Sequence, residues 1–228
     1  GNSFDTMGAA SAGNNQFNAA FKSQLDWLPD SFVQTVRESG TFRLYTFDVP
    51  SLTGGRKYAL KVRKDYDRNY WAEFRQKFTS NRWFLNGIHL NWDPWNNGVE
   101  DSASGTHLLD TTPGTADGKN DCPVILGRTF SDWAAGVHFT PVARGSSSPE
   151  NWIDVVVNLG TFPTNTAPVA AVTADRTSVA TNVTVNFSAS AGDPDGDALA
   201  YWWDYGDATF GPNSPNATKS WSAAGEYT

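Results

Sequence analysis

Hydrophobic positions recur along this chain with two different periods, and the change from one to the other marks its organisation. In "NNQFNAAFKSQLDWLP", Phe17, Ala20, Phe21, Leu25 and Leu28 fall near every 3.6 residues, the spacing of an amphipathic helix. Asn14 or Asn15 is placed to cap its start and Pro29 to stop it. From about Gly40 the period becomes two. In "KYALKVR", Tyr58, Leu60 and Val62 point one way and Lys57, Lys61 and Arg63 the other, the alternation of a half-buried strand. Similar short candidates follow in "TFRLYTF", "NYWAEFRQ", "WFLNGIHLNW", "THLLD", "VHFTPV" and "WIDVVVNL", separated by stretches rich in Gly, Asp, Asn and Ser. Many short strands at this spacing predict an antiparallel sandwich rather than a parallel sheet.

The segment "GTFPTNTAPV" interrupts the pattern with two prolines among Thr and Asn and reads as a linker. Beyond it, "VTVNFSAS" alternates Val183, Val185 and Phe187 against Thr184, Asn186 and Ser188, and "ALAYWWDYGD" carries the densest aromatic cluster of this half. The expected fold is therefore mostly β. Residues 1–30 hold an opening turn and one amphipathic helix, 31–160 an antiparallel β-sandwich and 161–166 the linker. Residues 167–228 are expected to form a second, Ig-like β-sandwich, lacking its last strand because "AAGEYT" reads as the start of another one.

Length and charge narrow the function. A chain of 228 residues buries enough surface to fold without covalent staples. Lys+Arg 17 against Asp+Glu 24 gives a net charge of -7, which disfavours nonspecific nucleic-acid binding, and no basic run argues otherwise. The single cysteine, Cys122, excludes an internal disulfide and leaves a reducing compartment or a cysteine-poor exoprotein. Abundant Asn, Thr, Ser, Gly and Trp with little Lys favours the second, a secreted bacterial-type protein. No apolar run approaches the roughly 18 residues that span a bilayer. The N-terminus lacks the charged and apolar regions of a signal peptide, so an export signal is expected upstream. A monomer is expected, with no nucleic-acid or membrane partner.

Several residue groups are candidates for chemistry. "DPDGD" places Asp193, Asp195 and Asp197 two apart around Gly196, which concentrates the hard oxygen ligands Ca²⁺ takes; an ordinary Asp/Gly turn has the same composition. "LLDTTPGTADGKND" offers Asp110, Asp117 and Asp121 as a second calcium loop, with the same alternative. "NWDPWNNGVED" carries Trp92 and Trp95 in a composition suited to stacking on a sugar or gripping a peptide, or to packing on the sandwich. His89, His107 and His138 lie 18 and 31 residues apart, and structural roles are the expected ones. Glu73 and Arg75, two apart on one strand, read as an ion pair flanking Trp71. No G-x-S-x-G elbow or glycine-rich phosphate loop is present, and Cys122 has no persuasive partner for thiol catalysis.

Two resemblances sharpen these readings. "NTAPVAAVTA", "GDPDGDALAYWWDYGD" and "SWSAAGEYT", in that order over Asn165 to Thr228, are similar to the PKD (polycystic-kidney-disease-type) domain, with Tyr205 where Phe is usual. By position the resemblance implies Asn165, Asp193 and Asp195 as calcium ligands, with Asp204 and Asp207 of "WDYGD" as weaker candidates. "FDTMG" at Phe4 to Gly8, followed by "NNQFNAAFKSQLDWL", looks like the Met-turn and closing helix of the metzincin zinc peptidases, in the style of the gametolysin and immune inhibitor A groups. "NYWAEFRQ", "GIHL", "THLLDTTPG" and "LGRTFSDWAAGVHFTPV" fit the region that follows in that family. Metzincins hold zinc with the three histidines of H-E-x-x-H-x-x-G-x-x-H and use the Glu as general base. None of the histidines here stands in such a motif. The resemblance thus implies zinc ligands upstream of Gly1, Met7 as the Met-turn residue, and a chain that is inert alone. The implied function is the C-terminal region of a secreted zinc metallopeptidase. The alternatives are an extracellular adhesion module for polysaccharide or fibrous protein, and a pair of spacers.

Overall fold

In the computed structural model, which describes residues 4–6, 16–77, 79–95, 105–162, 164 and 166–228 with the side chains of Pro94 and Trp95 excepted, the helical period yields a short element. Helix α1 spans Ala19–Gln24. Its cap is Asn18, whose side-chain oxygen accepts the Phe21 N–H at 3.1 Å; Asn14 and Asn15 lie outside the described residues. The helix ends before Pro29 because Asp26 takes a left-handed backbone (φ 58°), and the N–H groups of Trp27 and Leu28 both return to the Lys22 carbonyl at 2.8 and 3.0 Å. Ala19, Ala20 and Leu28 are buried, while Leu25, on the expected apolar face, is exposed.

The chain divides into two compact units, Gly1–Phe162 and Pro163–Thr228. In the first, strands β1 (Val33–Val36), β3 (Ala59–Arg63), β4 (Asn69–Glu73), β5 (Gly87–Trp95) and β6 (Gly105–Leu108) form one sheet in that order, with β7 (Val124–Ile125) paired to β5. A second sheet has the order β2 (Gly40–Tyr45), β10 (Glu150–Leu159), β9 (Val137–Ser147), β8 (Phe130–Asp132). Pairing is antiparallel except between β1 and β3. That parallel pair departs from the all-antiparallel expectation. The chain leaves β1 for β2 in the opposite sheet, so it re-enters the first sheet at β3 by a crossover.

The facing sheets enclose the main core. Leu60, Val62, Tyr70, Ala72, Ile88 and Leu90 from one side meet Leu44, Val137, Phe139, Ile153, Val155 and Val157 from the other. Each fully buried aliphatic side chain contributes about 1.5–3 kcal/mol. The outer face of the first sheet is covered too: Ala19, Ala20 and Leu28 pack with Val33, Phe47, Tyr58, Ala59 and Trp71. Double coverage overrides the half-buried alternation expected of these strands, and β4 is buried continuously from Tyr70 to Glu73. Where β5 meets β7 the backbones touch: a Cβ on Gly87 would lie 2.5 Å from the Val124 carbonyl oxygen, so glycine is required there.

The second unit contains one antiparallel sheet, β11 (Val169–Ala174), β12 (Val185–Gly192) and β13 (Asn216–Lys219), in that order. Phe187 of β12 gathers Trp203, Tyr205 and Trp221, with ring centroids 6.0, 6.2 and 6.4 Å away. The stretch "ALAYWWDYGD" forms no strand; its one ladder contact is an isolated bridge between Asp204 and Phe210. Side chains close its turns locally. The Asp204 and Asp207 carboxylates accept the N–H groups of Gly206 and Thr209, both at 3.1 Å. A groove of about 580 Å³ opens beside Val185, Phe187, Trp221 and Tyr227. No helix among the described residues is long and apolar enough to cross a membrane.

Candidate functional site

The outer face of the first sheet is polar at its centre although it is covered. Successive outward positions on β4 and β5 bring Glu73, His89, Asn91 and Asp93 beneath α1 and the Phe4–Thr6 turn, and all four are buried. Glu73 is the hub. Its Oε2 accepts the Ala19 N–H at 2.6 Å, at the first turn of α1. Its Oε1 accepts the Arg75 Nε–H at 2.6 Å and lies 3.1 Å from His89 Nδ1. A second guanidinium nitrogen of Arg75 pairs with the same oxygen, and Arg75 Nη1 donates to the Phe4 carbonyl at 2.6 Å. Fork geometry lets one cation hold the carboxylate and the N-terminal turn together.

The same turn has a second anchor. The fully buried Asp5 carboxylate accepts the Asn18 N–H at 2.7 Å, and Asn18 Nδ2 donates to Thr106 Oγ1 on β6 at 2.6 Å. Phe4 and Phe84 close over the His89 ring at 6.3 and 4.8 Å. Deeper along the sheet, Trp71 Nε1 donates to Asp93 Oδ1 at 2.7 Å.

Burial and charge set the ionisation of this layer. Burial pushes the Glu73 carboxyl up, but the Arg75 charge and the bonds from His89 and the Ala19 N–H outweigh it and hold it at about 2. Burial lowers His89, and the nearby Arg75 lowers it further against the opposing pull of Glu73. The imidazole is therefore neutral near pH 7, and Nδ1–H donates to Glu73; its Nε2 has no partner among the described residues. Burial raises the Asp93 carboxyl, offset in part by the Trp71 bond. Both oxygens of Glu73 are occupied by donors. The arrangement holds two chain segments on a sheet.

The residues expected to carry function are dispersed. Met7 and Asn165 lie outside the described residues, as does the Trp95 side chain; the Trp95 backbone pairs with Gly105. Asp193 Oδ1 accepts the N–H groups of Asp195 and Asp197 at 2.8 and 3.3 Å, and Asp195 Oδ2 accepts the Thr166 N–H at 2.6 Å. In the other acidic loop, Asp110 accepts the Thr112 N–H at 3.1 Å and Asp121 accepts the Thr115 hydroxyl at 3.0 Å, while Asp117 is exposed. Among the described residues no three His, Cys, Asp or Glu side chains gather as a metal group; His89, His107 and His138 stand on β5, β6 and β9.

Trp92 is half-buried rather than open. Its register opposite Tyr70 turns it to the core face, and Arg68 and Lys64 lie 4.6 and 5.3 Å from its ring. Cys122 is buried, and burial followed by the nearby Asp110 and Asp121 charges raises its thiol far above the ordinary range, which makes it inert. The most exposed aromatics among the described residues are Tyr66 and Trp133, 89% and 71% exposed, with Trp27 next. Their sequence signal is a ring set among turn residues, in "KDYDRN" and "SDWAAG".

The two units differ in what they resemble. Residues 165–228 match the family model of the PKD domain, so the second unit has the class of a PKD-type β-domain. No curated protein and no solved structure matches the chain.

Proposed function

We propose that this chain is the non-catalytic C-terminal region of a secreted zinc metallopeptidase of the metzincin type, in which the first unit braces the floor of the active site and the PKD unit is an accessory domain. The observation that supports it is the treatment of Phe4–Thr6. Arg75 holds the Phe4 carbonyl and a fully buried Asp5 holds the cap of α1. Buried charge fixes Phe4 and Asp5, just ahead of Met7, the residue the resemblance places beneath the metal. In the intact enzyme, zinc held by three upstream histidines would supply a polarised water for peptide hydrolysis. The contribution of this chain's own residues is positional: Glu73, Arg75, Asp5 and Asn18 keep the floor in register with the sheet.

The test is to express the protein with its upstream coding sequence. One equivalent of zinc, casein hydrolysis blocked by 1,10-phenanthroline, and no hydrolysis by residues 1–228 alone are expected. An upstream region without an H-E-x-x-H helix overturns the reading.

A further inference from the structure

Beside the end of α1 the first unit holds a small cavity of about 250 Å³, with Lys22, Trp27 and Leu28 on its walls together with Phe47, Val49 and Leu52 from the segment after β2. Gln16 is the other polar side chain on the described walls. Trp27 is set edge-on against Phe17, with ring centroids 5.2 Å apart, so its orientation is fixed although it is 58% exposed.

Lys22 is the feature that packing alone does not account for. Its Nζ lies 4.1 Å from the centre of the Phe47 ring, and among the described residues it has no hydrogen bond or ion pair. Elsewhere in this unit Arg75 is matched to Glu73, Arg56 to Glu150, Lys64 to Asp65 and Asp132, and Lys57 to the carbonyls of Ser31 and Val33. Glu73 and Asp48 act on Lys22 only through their fields. Glu73 is bound by Ala19, Arg75 and His89, and Asp48 accepts the N–H groups of Gln76 and Lys77 at 2.7 and 2.8 Å. Burial lowers the Lys22 ammonium, with Glu73 opposing, Arg75 assisting and Asp48 opposing. A half-buried ammonium that rests on a ring face lacks the direct anionic partner that would offset its desolvation.

We propose that this cavity binds a small apolar monocarboxylate, with the carboxylate on Lys22 and the apolar body against Trp27, Phe47 and Leu52. Charge complementarity selects the anion, and the apolar walls select the rest. One ammonium neutralises one negative charge, whereas a doubly charged phosphate would carry a second against apolar walls, at a cost. The volume, about 250 Å³, lies just below the roughly 300–1,000 Å³ of most ligand pockets. The body that fits is therefore the size of one amino-acid side chain, not a long acyl chain. A free short-chain acid and the C-terminal residue of a peptide present the same chemistry. Nothing in the proposal depends on the peptidase reading.

The test is isothermal titration calorimetry of the full chain with hexanoate and N-acetyl-leucine, which separate the two sources, beside hexanamide, N-acetylleucinamide and inorganic phosphate. Saturable binding of at least one acid is expected, about tenfold or more tighter than its amide, with none of phosphate. Lys22→Met keeps the stem and removes the ammonium. It should bring the acid down to the affinity of its amide, with the melting temperature kept or raised. Leu52→Trp, which fills the cavity, should abolish binding of acid and amide alike. Absence of saturable binding by both acids overturns the proposal. So does an acid no tighter than its amide or than phosphate, or acid binding that persists unchanged in Lys22→Met or Leu52→Trp.

Discussion

Replacing Glu73 by alanine is the sharpest probe of how the first unit holds its N-terminal turn and helix. The change removes the anion paired with Arg75, whose side chain is 2% exposed, and the acceptor of the Ala19 N–H. An uncompensated buried cation costs about 3–5 kcal/mol. The ionisation of Glu73 gives an independent figure: a fall from 4.5 to about 2 corresponds to about 3 kcal/mol at 1.36 kcal/mol for each unit. Urea unfolding followed by circular dichroism at pH 7 should therefore show the first unit's transition weakened by about 3 kcal/mol or more. The pH dependence has a defined sign. Glu73 has a folded value below its unfolded one, so its contribution is complete above about 4.5 and is lost as pH falls toward about 2. His89 is also depressed, so the unfolded chain takes up its proton first, and stability drops again as pH falls below about 6.5. The parent should weaken through both windows, and Glu73→Ala should show a shallower fall in the lower one, where Asp65 and Asp132 are also held below the ordinary carboxylate range. A cost below about 1 kcal/mol, or an unchanged profile between pH 4.5 and 2, would refute the argument that Glu73 is the hub.

Two further outcomes follow from local geometry. Gly87→Ala sets a Cβ against the Val124 carbonyl oxygen, a backbone atom that cannot swing aside, and should cost about 1–3 kcal/mol in the same denaturation; an unchanged midpoint would mean β5 and β7 are not in that contact. For calcium, only one oxygen each of Asp193 and Asp195 accepts the N–H groups of Asp195, Asp197 and Thr166, so if this loop holds Ca²⁺ the melting temperature should be higher in millimolar Ca²⁺ than in chelator, and an unchanged value would count against the site. A rise of several degrees with Ca²⁺ would establish a site in the folded state.

The strands were legible where burial is one-sided and the period of two survives. "VHFTPV" and "WIDVVVNL" correspond to β9 and β10, whose inward residues Phe139, Ile153, Val155 and Val157 form one wall of the core. The aromatic cluster of the second unit was legible as core but not as backbone. Trp203, Tyr205 and Trp221 do converge on Phe187, while Asp204 and Asp207 close local turns that break any ladder. For Trp92 the Asn, Asp and Pro around it left an exposed loop and packing on the sandwich as alternatives. Register favours the second: pairing with Tyr70 sends its ring inward. Tyr66 and Trp133 stayed out of view because a single ring in a turn carries no periodic signal.

The Glu73–Arg75 ion pair was legible from its spacing, but the burial of the polar layer could not be read from pattern, for a more basic reason. Alternation assigns a charged residue to solvent, and "NYWAEFRQ" and "GIHLNWD" place Glu73, Arg75, His89 and Asp93 where an uncovered sheet would be wet. What buries them lies far off in sequence: the Glu73 bond to Ala19 spans 54 residues and the Arg75 bond to Phe4 spans 71. An apolar face would have held α1 by contact area alone, with no directional demand on its position. Glu73, Arg75, Asp5 and Asn18 instead have acceptors and donors that fit one placement of the N-terminal turn, and any slippage leaves a buried charge or N–H without a partner. The layer therefore fixes position as much as it contributes stability. That distinction is why Glu73, rather than any apolar contact beneath α1, is the residue whose removal should release Phe4–Thr6.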